Sequence, residues 1–81
     1  MKIQVDEIIQ ILKKINSNGE YDANTMLFDS GFIDSFLLLG NLLPTIEEKY
    51  SFTVGAIDLM PENFETPKAI CEFIERKKNE K

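Results

Sequence analysis

Eighty-one residues, 43% of them hydrophobic, suffice for one small packed core spanning 1–81; they leave no room for a second domain and argue against disorder. With no histidine and one cysteine, the chain cannot build a Ser-His or Cys-His catalytic pair, an internal disulfide or a zinc site of the usual kind, so an enzyme is not expected. A formal net charge of −5 repels nucleic-acid phosphates and suits partners with basic docking patches.

No apolar run is long enough to span a bilayer, and the N-terminal stretch lacks a basic segment followed by an apolar one. These features, with the sparing use of cysteine, read as a soluble protein of the cytoplasm. Ile3, Val5, Ile8, Ile9, Ile11, Leu12 and Ile15 recur at helical spacing among polar residues, which predicts a first helix over about residues 3–16. Asn16-Ser17-Asn18-Gly19 then breaks the pattern, with Gly19 placed to cap the helix end.

Residues 17–34 form a connection of a length that is uncommon in compact domains unless it is functional. Asp22-Ala23-Asn24 hints at a calcium loop, but Leu27 stands where that loop needs Gly and Ile33 where it needs Glu. Leu27, Phe28, Phe32 and Ile33 are placed to pin the connection to the core, and Gly31 permits a turn that bulkier residues resist.

Ser35 to about Tyr50 is again helical, with Leu38, Leu39, Leu42, Leu43 and Ile46 giving an apolar face wider than core packing needs. The surplus is either imperfect burial or a contact patch for a partner or an acyl chain. Pro44 removes a helical hydrogen bond and predicts a kink or bulge. Ala56–Met60 reads as one short turn stopped by Pro61, and 61–65 as a second loop. Thr66-Pro67 is an N-cap followed by Pro at the first helical position, opening a last helix to about Lys78 that buries Ile70, Phe73 and Ile74, with Cys71 as a small buried hydrophobe. Arg76-Lys77-Lys78 opposes the negative end of that helix's dipole. Three principal helices and one short third helix predict an all-α class, a small four-helix bundle.

Asp34-Ser35 stands where the long connection becomes the second helix. A serine there is either an N-cap or, because a helix start presents unpaired N–H groups, the bearer of a phosphate group. Asp29-Ser30 is a competing pair, but Gly31 follows it and no helix stands behind it.

Asp34-Ser35-Phe36 resembles the Asp-Ser-(Leu/Met/Phe) motif of the acyl, peptidyl and aminoacyl carrier proteins, and the likeness extends over about residues 3–78. Leu27-Phe28-Asp29-Ser30-Gly31-Phe32-Ile33-Asp34-Ser35 is most similar to the D-alanine carrier proteins. Phe64, Thr66-Pro67 and Ile46-Glu47-Glu48-Lys49-Tyr50 also resemble segments of carriers. One residue more than usual separates Ser35 from Ile46-Glu47-Glu48, which makes a bulge plausible within the second helix.

The resemblance implies a monomer without catalysis of its own. Ser35 would receive 4′-phosphopantetheine from coenzyme A, Asp34 would belong to the attachment motif, and the arm's thiol would hold an acyl or aminoacyl group as a thioester. Its partners would be a phosphopantetheinyl transferase, an acyl- or aminoacyl-adenylating ligase or synthase, and a downstream acyltransferase. Phe32, Ile33, Phe36, Leu39, Glu47 and Glu48 are the candidate docking contacts. The alternative is a helical protein-protein interaction module without a prosthetic group, in which Ser35 is a cap alone.

Overall fold

The computed structural model describes residues 3–79. It is a small all-helical bundle with no strand among the described residues. Helix α1 (Val5–Ile15) begins after Gln4, whose N–H donates to the Glu7 carboxylate at 3.2 Å, and it buries Ile8, Ile11 and Leu12. Helix α4 (Pro67–Asn79) begins where the Thr66-Pro67 signal places it, with the Thr66 hydroxyl accepting the Ala69 N–H at 3.0 Å. It buries Ile70, Cys71, Phe73 and Ile74 and packs against α1. The chain ahead of α1 is strapped to α4 at Ile3, whose N–H donates to Glu75 at 2.7 Å and whose carbonyl accepts the Cys71 thiol at 2.9 Å.

The second long helical stretch is built in three continuous parts: α2 (Ser35–Leu37), a π-helical segment (Leu38–Leu42) and α3 (Leu43–Tyr50). In the π segment the Leu43 N–H reaches back five residues to the Leu38 carbonyl. A π turn absorbs one extra residue in a helix without breaking it. The predicted bulge is therefore present, and it ends just before Pro44. Pro44 brings no N–H and its ring would crowd the carbonyl four residues back, so the wider turn ahead of it relieves a conflict that an α-helix would have kept. Leu42, Leu43 and Ile46 face the core, whereas Leu39 is 55% exposed.

Two expectations are corrected here. Gly19 does not cap α1, because the helix already ends at Ile15 with Asn16 extended and its N–H bonded to Leu12. Gly19 instead makes room for Tyr21, whose ring a methyl group at that position would overlap. The Tyr21 hydroxyl donates to the Asn16 carbonyl at 2.8 Å, which satisfies the helix end from outside. The short third helix is realised as two single 3₁₀ turns, Ala56–Asp58 and Pro61–Asn63, the second lying where a loop was expected. The first turn ends at Asp58, short of Pro61, and Pro61 opens the second.

Ser51 ends α3 in the left-handed region with φ 57°, which reverses the chain and lets the Glu47 carboxylate accept the Val54 N–H at 2.8 Å. The last residue of α3, Tyr50, is buried and donates its hydroxyl to Glu7 of α1 at 3.1 Å. Burial first, then the hydrogen bond and negative charge of Glu7, push this phenol far above its ordinary value. In the unfolded chain it ionises near pH ~10, so between that pH and its folded value only the unfolded state loses the proton. Stability is thus expected to fall as pH rises past ~10, and Tyr50→Phe should flatten the fall in part, since burial raises Tyr21 as well. Urea unfolding of both proteins between about pH 8 and about pH 11 measures this.

Candidate functional site

The long connection delivers Ser35 through a series of backbone anchors. The Leu27 N–H donates to the Glu65 carbonyl at 2.8 Å, the Lys68 N–H to Ala23 at 3.1 Å, and the Ile33 N–H to Leu27 at 3.1 Å. Leu27 and Ile33 are buried, so the loop 27–33 closes on itself against the core. Gly31 makes the turn possible with φ +83°, a conformation that costs an L-residue roughly 1–2 kcal/mol. Gly31→Ala meets no steric obstacle there. It is expected to destabilise by about 1 kcal/mol through backbone conformation, read from the midpoint of urea unfolding.

Asp34 and Ser35 resolve into separate roles. Asp34 is extended and is the N-cap: its carboxylate accepts the Leu37 N–H at 2.9 Å. The reading of Ser35 as the cap is corrected, because Ser35 is already the first helical residue. Its side chain is exposed, and among the described residues its hydroxyl has no hydrogen-bond partner. Ser30 of the competing Asp29-Ser30 pair differs: its hydroxyl donates to the Leu27 carbonyl at 3.3 Å and accepts the Phe32 N–H at 3.4 Å. One serine is spent on loop structure and the other is left free.

Ser35 lies on the rim of an apolar pocket of about 320 Å³ walled by Phe28, Leu38, Leu59, Met60 and Phe64. Phe28 and Leu38 come from either side of the Asp-Ser junction, whereas Leu59 and Met60 come from between the two 3₁₀ turns and Phe64 from just after the second. The pocket therefore exists only in the folded chain. Its walls suit a hydrocarbon group attached near Ser35 better than a polar one.

The remaining candidates divide sharply. Phe36 is 88% exposed and, with Leu39, leaves apolar surface on the solvent side just beyond Ser35; Ile57, 86% exposed, adds a third such side chain on the first 3₁₀ turn. Ile33 is 1% exposed and lies in the core, where its side chain offers no surface to a partner. Phe32 is half-buried edge-on to Tyr21, with ring centroids 5.2 Å apart, and its carbonyl accepts the Asn16 amide. Glu47 is half-buried and holds Val54, while Glu48 is exposed. Sequence reasoning did not single out Leu59, Met60 or Ile57; no spacing rule links them to Ser35.

A similar protein is the lincomycin biosynthesis protein LmbN of Streptomyces lincolnensis, 37% identical over 75 residues, which cover 89% of this chain and 26% of that protein. The chain thus spans about a quarter of the length of the curated relative it matches. No family model matches the chain, and no solved structure matches it. Among the described residues, no helix is long and apolar enough to cross a membrane.

Proposed function

We propose that the chain is a carrier domain of a biosynthetic pathway, bearing 4′-phosphopantetheine on Ser35 and holding an acyl or aminoacyl group for partner enzymes. The observation that carries this reading is the Ser35 hydroxyl: exposed, unpartnered, in the first helical turn, and on the rim of an apolar pocket. A structural serine at a helix start spends its hydroxyl on the cap; here Asp34 does that work. The similarity to a protein named for lincomycin biosynthesis supports a biosynthetic setting for this chain.

The residues present fit such an arm. Ser35 offers an accessible oxygen for a phosphodiester, and the N–H groups of the helix start favour the phosphate's charge. The arm, when attached, supplies a terminal thiol that holds the carried group as a thioester. Asp34 keeps the helix start ordered through Leu37, and its own negative charge does not stabilise the phosphate. The chain has no histidine to take the Ser35 proton and the Asp34 carboxylate is engaged by the Leu37 N–H, so in this reading the transferase that attaches the arm supplies the base. The pocket beside Ser35 shelters an apolar carried group from water. Phe36 and Leu39, three residues apart on one helical stretch, offer the exposed apolar surface on which a ligase, synthase or acyltransferase docks, with Glu48 available to a basic partner surface.

The test is the intact mass of the folded protein after incubation with coenzyme A, magnesium and a broad-specificity phosphopantetheinyl transferase. The expected result is the gain of one phosphopantetheine. No gain with several transferases would replace the carrier with the second reading, an interaction module whose exposed Phe36 and Leu39 capture a partner without any arm.

A further inference from the structure

The wall of the pocket formed by Leu59, Met60 and Pro61 is a loop pinched at its base and tied to α4. At the base, the Asn63 side-chain amide donates to the Asp58 carbonyl at 2.9 Å, which joins the two ends of the loop. Each end is then held by a basic residue of the last turns of α4. Lys77 pairs with the Asp58 carboxylate at 3.0 Å, and Arg76 donates to the Asn63 side-chain oxygen at 2.8 Å. The next residue, Lys78, reaches the Ser51 carbonyl at 3.4 Å, where the segment leaves α3. Three successive basic residues thus hold three points of one segment. A role for them only at the helix dipole leaves this alignment unexplained.

Short-range backbone hydrogen bonds shape the segment, but no residue of 58–63 is fully buried. Ile57 is almost fully exposed, Leu59 and Met60 are each partly in solvent, and the backbone turns are single and 3₁₀. Few buried contacts and short turns are the signs of a segment that opens locally at low cost, ahead of the core. Asp58 is nevertheless well held. The Gly55 N–H first, and then Lys77, keep its carboxyl below the ordinary carboxylate range.

We infer that residues 58–63 form a lid on the pocket beside Ser35, and that Arg76 and Lys77 are its latch. The lid moves about its pinched base, and the strength of the two α4 ties sets how often the pocket opens. That the group admitted there is the cargo of the arm rests on the carrier reading; the latch itself does not.

The chain's one native thiol, Cys71, is buried in the core, so a thiol placed in the pocket by Leu38→Cys can be compared with it. Both are labelled with a small neutral thiol reagent on the bare chain, with and without Lys77→Met or Arg76→Met. Each latch variant is expected to speed labelling at position 38 by about two- to fivefold, the range a surface tie supplies, with Cys71 unchanged. Hydrogen exchange at the Leu59 and Met60 amides, in chains without the added thiol, should rise by the same factor while the Ile70 amide holds steady. No change at position 38 or in these amides, or a rise shared equally with Cys71 and Ile70, would overturn the latch. No arm is needed for these measurements, so failure of attachment and failure of the latch are told apart.

Discussion

Phe73→Ala is expected to cost about 3–5 kcal/mol of folding stability, a large part of the roughly 4–12 kcal/mol available to a chain of this length. The ring is 1% exposed and is the hub of an aromatic cluster: Phe64 lies edge-on at 5.1 Å and Phe52 at 6.1 Å between centroids. The Arg76 guanidinium stands 6.0 Å from the same ring. Removing it leaves a cavity between α4 and the segment after α3, and neither side can collapse freely because Phe64 also walls the pocket beside Ser35. Urea unfolding should show a much lower midpoint. A loss below about 1 kcal/mol would mean that the cluster is far looser than its geometry implies.

Ser35→Ala is the opposite kind of change. The hydroxyl is exposed and has no partner among the described residues, so stability should stay within about 0.5 kcal/mol. Were Ser35 the N-cap, the loss would be nearer 1 kcal/mol; that larger cost belongs to Asp34→Ala, which removes the acceptor of the Leu37 N–H. Attachment of phosphopantetheine should nonetheless fall to nothing in Ser35→Ala. A fully folded variant that has lost all modification separates a chemical role from a structural one, and intact mass with parallel urea unfolding provides both readings.

The legible parts of this chain were those whose signals are local. The apolar spacing of 3–15 and the Thr66-Pro67 start placed α1 and α4 within a residue or two. The extra residue and Pro44 pointed to a bulge in the second helix, although only the folded backbone shows that it is a π segment over Leu38–Leu42. Which of Asp34 and Ser35 caps the helix was not legible, because both residue types are favoured caps and the answer turns on a one-residue difference in where helical dihedrals begin.

Parts set by chain reversal were hidden altogether. Glu47 reads as a candidate docking contact until the left-handed Ser51 brings Val54 back to it. Arg76, Lys77 and Lys78 read as a tail suited to the helix dipole until folding sets Asn63, Asp58 and Ser51 beside them. The pocket wall of Leu59 and Met60 was missed for the same reason: its relation to Ser35 is spatial only.

The most direct measurement is tandem mass spectrometry of the protein after transferase treatment, locating the added group within the peptide that carries both Asp-Ser pairs. Phosphopantetheine on Ser35, with Ser30 bare, is the predicted result. The group on Ser30, whose hydroxyl is engaged within its loop, would contradict the assignment of Ser35 as the attachment site.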